Sequence, residues 1–319
     1  MKTSRRINGK SFFVIALLCF ICFCACTGDS IYEEEQYKTI VYMLSGTDNI
    51  YTESYTLNEM ESVKYFSVGY GGTNPNEQEI VVTIEPDIDL FNRYNTLHYD
   101  YENLYAQLLP ADRYEIGTYT AIIPAKSAEQ YVKVSVKVRP LGLSPDSIYF
   151  IPLAIKSVSH YSVNEDKYNM LFRVTIENDY ARQKVVTYYT KKGTVTNQST
   201  NTSANLSGNK MVQPLTKNTV RMFVGNYSQG SGTTVTDIET YAIEVEIKGD
   251  NTLDITPYGT IDVEMLDDDG YNRYDPALMQ GTKAQRVFYL HYRYRIRNND
   301  GTYGVWQEMK ETLTRVEET

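Results

Sequence analysis

Cysteine is missing from almost the whole chain: Cys19, Cys22, Cys24 and Cys26 all fall within the first 26 of 319 residues. A mature chain beginning at residue 26 has no pair to bridge, so core burial and ladder hydrogen bonds must hold it together. Histidine is nearly as scarce. His98, His160 and His291 are the three, and none stands at zinc spacing from a second histidine or a cysteine. The chain also lacks a G-x-S-x-G elbow, a phosphate-cradling G-x-x-x-x-G-K-[ST] loop and an H-E-x-x-H pair. Tryptophan occurs once, at Trp306, against 29 tyrosines.

Long apolar runs are absent except at the start. Lys2, Arg5, Arg6 and Lys10 precede an uncharged apolar stretch at residues 11–25. A positive start and a core of roughly 7–15 apolar residues describe a secretory signal, too short for a permanent span of about 20. Residues 23–26, Phe-Cys-Ala-Cys, resemble a bacterial lipobox, with Cys26 as the lipid acceptor because polar residues 27–30 follow at once. Cys22 and Cys24 are alternative acceptors. The expected organisation is a lipoprotein signal at 1–25, a tether at 26–36, and two domains at 37–178 and 179–319.

Positive charge is in deficit. Removing residues 1–25 takes away four basic side chains and no acidic one, leaving 27 against 40, or −13. Such a surface repels phosphate, so nucleic acid is not an expected partner. Glu33, Glu34 and Glu35 behind Cys26 read as a solvated tether, and they also resemble the acidic export signal of Bacteroidota surface lipoproteins. That resemblance implies the outside of the outer membrane as the address.

Short alternating runs separated by turn residues fill the rest. Tyr131–Val138 is the clearest, with Val132, Val134, Val136 and Val138 on one face and Lys133, Ser135 and Lys137 on the other. In the first half the one plausible helix is residues 87–95. This pattern predicts an all-β chain, with an N-terminal immunoglobulin-like antiparallel sandwich. The second half reads as an antiparallel β-barrel, calycin-like, or a sandwich. Residues 193–209 are low in complexity and poor in apolar side chains, which predicts either a mobile segment or a long exposed hairpin.

Three pieces of the first half resemble a β-sandwich domain of Bacteroidota surface lipoproteins. They are residues 91–95 (FNRYN), residues 108–116 with Leu108, Leu109, Pro110 and Tyr114, and residues 147–153 (SIYFIPL). The same domain precedes some endo-β-N-acetylglucosaminidases, and the resemblance implies a spacer or binding module of polysaccharide-utilisation type. Residues 210–215, 271–276, 288–294 and 308–315 resemble its C-terminal partner module. The residues themselves suggest a structural job for Asn95 and Tyr114, fixing a crossover loop and its entry into a strand.

Chemistry is harder to find. Forty acidic residues leave room for a glycosidase pair. The D-x-x-D-x-D-x-E strand end of chitinase-like barrels is absent, however, and neither half can house a barrel of roughly 250 residues. No enzyme activity, metal or cofactor is expected. Asp267, Asp268 and Asp269 could offer oxygens to calcium, but they lack EF-hand spacing, and a solvated turn is the better reading. Residues 146–148 (DSI) resemble a short Bacteroidota O-glycosylation motif.

Carbohydrate is the expected ligand, because sugars lay C–H faces on aromatic rings and offer hydroxyls to amides and carboxylates. Tyr271, Asn272, Tyr274 and Asp275 supply that mixture in what reads as a loop, with Tyr303 and Trp306 as a second platform. Tyr271 and Tyr274 could equally plug a barrel mouth, and Trp306 could be core. The outward row Tyr289, His291, Arg293, Arg295 and Arg297 reads as a wet strand face or a contact surface. A transporter or enzyme of the same uptake system is a further expected partner; an adhesive protein binding another protein is the alternative.

Overall fold

The computed structural model describes residues 37–316 apart from 231, 268, 269 and 282. The signal, the tether, the acceptor Cys26 and two of the three carboxylates considered for calcium therefore lie outside the described residues. Among the described residues no helix is long and apolar enough to cross a membrane.

The first half contributes β1 (Ile40–Met43), β2 (Ile50–Thr56), β3 (Ser62–Gly71), β4 (Ile80–Pro86) and helix α1 (Ile88–His98). It continues with β5 (Gln107–Leu108), β6 (Tyr114–Ile116), β7 (Thr120–Ile123), β8 (Tyr131–Val138), β9 (Tyr149–Val158), β10 (Ser162–Val163) and β11 (Asn169–Glu177). These form two sheets, β10-β1-β3-β8-β6 and β2-β11-β9-β4-β7, the latter with β5 beside β9. The sandwich expected from alternation is present. Three of its pairings, β1 with β10, β2 with β11 and β5 with β9, run parallel. Val134, Val136 and Val138 of β8 bury against Phe66, Val68 and Phe172, while Lys137 stays outside and pairs with Glu115 at 2.7 Å.

Asp87 caps α1, its carboxylate accepting from the Leu90 amide at 3.0 Å, and the helix runs three residues beyond the stretch read from sequence. Phe91 of α1 buries against Phe150 and Leu171 on the outer side of the second sheet. Asn95, 3% exposed, donates to the Ala106 carbonyl (3.1 Å) and accepts from the Ala106 amide (2.9 Å). One side chain thus satisfies both polar groups of a buried peptide on the crossover into β5. Asn95→Ala is expected to lower unfolding free energy by about 2–3 kcal/mol, since two buried backbone groups lose their partners. Urea titration measures this; a loss under about 0.5 kcal/mol would mean water replaces the amide.

The second half supplies β12 (Thr187–Asn197), β13 (Thr202–Pro214), β14 (Thr219–Phe223), helix α2 (Val235–Tyr241), β15 (Ala242–Ile247) and β16 (Leu253–Pro257). It ends with β17 (Asp262–Met265), β18 (Arg273–Gln280), β19 (Lys283–Arg295) and β20 (Gln307–Val316). The sheet order is β16-β15-β14-β13-β12-β20-β19-β17, with β18 also on β19, and it curls into a nearly closed barrel. Closure comes from β16: the Leu253 amide donates to Asn272 and the Tyr274 amide to Asn251. The low-complexity stretch takes the hairpin alternative, as β12 and β13 pair from Thr187↔Val212 to Asn197↔Thr202.

The halves meet through polar side chains. Asn178 donates to the Thr216 and Thr219 carbonyls, and Gln183 donates to the Pro145 and Ser147 carbonyls. Arg221, fully buried on β14, pairs with Asp146 of the sandwich and lies 4.7 Å from the Tyr258 ring. The DSI tripeptide therefore sits in this junction.

Candidate functional site

The aromatic residues chosen from sequence divide between the barrel wall and its core. Residues 271–275 are not one open loop, because β18 starts at Arg273. Tyr274 is 5% exposed and packs on Phe288 and Tyr180, with centroids 4.7 and 5.1 Å away. Burial raises its hydroxyl well above the usual tyrosine range. Asn272, at φ +51°, donates to the carbonyls of Leu266 (2.9 Å) and His291 (3.0 Å) and accepts from the His291 amide. Both are corrections to the expected platform, since burial removes Tyr274 from contact and the Leu266 and His291 backbone takes up the Asn272 amide. Asp275 sits at the β18 irregularity, accepts from the Ala277 amide and faces Arg273 at 3.9 Å.

Tyr271, Trp306 and Tyr303 lie over the outward row of β19. Tyr271 meets Tyr289 and His291 edge-on and has the Lys310 ammonium 4.6 Å from its centre. Trp306 carries Arg293 and Arg295 at 4.6 and 4.5 Å, and Arg295 also lies 4.7 Å from Tyr303. Glu264 accepts from Arg293, Asp262 from Arg295, and Glu308 bonds His291 at 3.0 Å. This contact lowers the Glu308 carboxyl below its usual range. Rings and cations are already matched along this wall. A sugar would have to displace a guanidinium to reach the tryptophan face it covers.

A concave site exists elsewhere, at one end of the barrel. A cleft of about 500 Å³ opens between the β12–β13 hairpin, the loop after β14 and the β19–β20 turn. Val195, Leu206, Val305 and Ile296 give it apolar walls, and Asn226, Asn298, Gln307, Tyr227 and Tyr294 add polar groups. Tyr227 is 42% exposed and held flat against Tyr241, centroids 4.0 Å apart at 17°. Burial raises its hydroxyl above the usual tyrosine range, with Tyr241 adding to this. Gly225, at φ +56°, lets the loop approach Tyr294: a Cβ there would sit 2.6 Å from the Tyr294 hydroxyl. The turn that carries Tyr303 and Trp306 on the outer wall gives Gly304, Val305 and Gln307 to the cleft.

Behind the cleft lies a buried ionic group. Lys191 donates to the Gly225 carbonyl (2.9 Å) and to Asn226 Oδ1 (2.8 Å). Lys210 and the Tyr292 hydroxyl both donate to Glu311 Oε1, at 2.6 and 3.0 Å. Lys191, Lys210, Tyr292 and Glu311 are 4%, 3%, 0% and 0% exposed. Burial lowers the Lys191 ammonium below the usual lysine range, Lys210 adds to this and Glu311 opposes it. Sequence reasoning missed this group. The signal was there: Lys191 follows Tyr189 on the inward phase of β12, and Glu311 stands between Met309 and Leu313 on that of β20.

A wider groove of about 750 Å³ crosses the outer wall, bordered by exposed Val185, Val186, Tyr188 and Met279. The buried polar residue on its lining, Thr187, already accepts from the Arg182 amide at 2.9 Å through its hydroxyl. Among the described residues no three His, Cys, Asp or Glu side chains assemble as a metal site.

An N-terminal domain family model matches residues 34–162, and a C-terminal domain family model matches residues 168–314. No curated protein matches the chain. Among solved structures, a Bacteroides ovatus protein of unknown function is 17% identical, with TM-score 0.68 over 88% of this chain and 95% of its own. A second, described as a multidomain protein including DUF1735 from Bacteroides ovatus, is 16% identical, with TM-score 0.62 over 86% and 94%. A third, described as an auxiliary nutrient binding protein from Bacteroides thetaiotaomicron, is 15% identical, with TM-score 0.60 over 85% and 92%. At these identities the likeness is one of fold.

Proposed function

The chain belongs to the two-module Bacteroidota family whose N-terminal and C-terminal domains it carries in series, and from that premise we propose a non-catalytic carbohydrate-binding protein of the cell surface. In this reading Cys26 carries the lipid that holds it on the outer membrane, the sandwich is a spacer, and the barrel-end cleft takes the sugar. The observation that carries it is the cleft itself. Apolar walls, an exposed tyrosine braced by a second ring, and amides around them match the C–H faces and hydroxyls of a saccharide. The fold neighbour described as a nutrient binding protein agrees with a role in uptake, and a transporter or glycosidase of the same system is the proposed partner.

The test is affinity electrophoresis and calorimetry of the intact protein against a panel of polysaccharides. Tyr227→Ala is expected to weaken binding about tenfold, because it removes the ring against which the sugar lies. Binding untouched by Tyr227→Ala but lost with Trp306→Ala would move the site to the outer wall. Retention by no glycan would end the carbohydrate reading. A protein ligand is then favoured by the exposed apolar border of the wider groove, and pull-downs with a Met279→Glu control address it. Protease added to whole cells should shave the protein away; protection would remove the surface placement.

A further inference from the structure

The cleft is electrically one-sided. None of the residues lining it carries a charge, and directly behind it lies the buried group in which two ammoniums share one carboxylate. Glu311 is engaged by Lys210. Lys191, 96% buried on the 4% exposure already given, has only neutral oxygens as partners, and two of its three N–H donors are used. An ammonium held in a low-dielectric interior with no carboxylate bonded to it directly is costly, and burial lowers its proton affinity with Glu311 offsetting only part.

The same contact orients the wall. Lysine has no acceptor, so Asn226 must turn its amide oxygen to Lys191, which leaves the Nδ2 donor for the cleft. Tyr294 and Tyr227 have no hydrogen-bond partner for their hydroxyls among the described residues. Unengaged donors thus face the cleft in front of a positive charge that Glu311 offsets only in part.

We infer that the cleft selects an acidic sugar, a uronic acid whose carboxylate accepts from Asn226 Nδ2 and neutralises Lys191 across the loop wall. This rests on the cleft being the carbohydrate site. Neutral sugars would use the same ring and hydroxyls but leave the lysine unanswered.

The experiment is calorimetry of the intact protein with oligogalacturonate and oligoglucuronate, each beside its carboxyl-methyl ester, which keeps shape and removes charge. The acid of at least one pair is expected to bind about tenfold or more tightly than its ester, the size of one charge-assisted contact. Asn226→Asp still accepts from Lys191, supplies the countercharge itself and removes the outward donor, so it should abolish the preference. Lys191→Met should do the same; if it fails to fold, Asn226→Asp carries the test alone, because that side chain is on the surface. Equal binding of acid and ester, or a preference that survives Asn226→Asp, overturns the inference. Binding of neutral glycans alone overturns it and leaves the carbohydrate reading intact, whereas binding of no glycan at all ends that reading as well.

Discussion

Glu311→Ala is expected to lower the unfolding free energy by about 3–5 kcal/mol, the cost of leaving a buried charge without its partner. The carboxylate is fully buried, holds Lys210 and Tyr292, and is the only negative group that opposes the depression of Lys191. Without it two ammoniums remain in the barrel, each on a lysine no more than 4% exposed. Charge, rather than lost packing, should account for most of the effect. Glu311→Gln keeps the volume and an acceptor, yet it should still lose about half as much. Lys210→Met combined with Glu311→Leu should recover much of the deficit, because apolar replacement of a whole buried pair is often neutral or stabilising. Urea denaturation of the two single mutants and the double gives the coupling directly. A loss below about 1 kcal/mol for Glu311→Ala would show that the group is solvated and that Lys191 sets no field at the cleft.

The parts of this fold that could be read from sequence are those with one wet and one dry face. Strand β8 alternates valine with lysine and serine, and its bounds are those the alternation gives. In β19 the inward set Phe288, Leu290, Tyr292 and Tyr294 is buried as expected. His291 departs from its outward row, because it lies under Tyr271 and bonds Glu308. Where neither face is fully wet or dry the pattern fades. Strand β2 is half-buried along nearly its whole length, and sequence reading passed over it. Helix α2 is only seven residues long and runs straight into β15, and sequence reading passed over it. Its capping box, Thr234 with Asp237, was the available mark.

Polarity also left the β12–β13 hairpin as only one of two alternatives, the other being a mobile segment. Its threonines, serines and asparagines bury little, but β20 supplies a ladder partner on one side of β12. Gly193 permits that approach, since a Cβ there would fall 2.2 Å from the Lys310 carbonyl. The site was less legible for a related reason. Tyr271, Asn272, Tyr274 and Asp275 are contiguous and therefore conspicuous, whereas the cleft draws on residues near 195–206, 225–227, 294–298 and 304–307. Only tertiary closure brings those four segments together.

Asp146→Ala should have a comparable effect at the junction, a loss of about 3 kcal/mol concentrated in the barrel. Arg221 is fully buried, and among the described residues its Nε and Nη1 have no hydrogen-bond partner. Its nearest answers are Asp146, the Gln213 amide oxygen and the Tyr258 ring. Glu244 stands opposite on β15, but burial raises its carboxyl, with Arg221 only partly offsetting this. Removing Asp146 therefore leaves a guanidinium that water cannot solvate. The sandwich loses little by the same change, because the Asp146 side chain is 28% exposed. Unequal loss predicts that a single calorimetric transition will split, with the barrel melting first and proteolysis at the junction accelerating. Asp146→Leu with Arg221→Met should restore one transition, since the junction then needs no charge. One unshifted transition for Asp146→Ala would mean that Asn178 and Gln183 couple the domains without the ion pair, and Arg221 would then be held by Gln213 and Tyr258 alone.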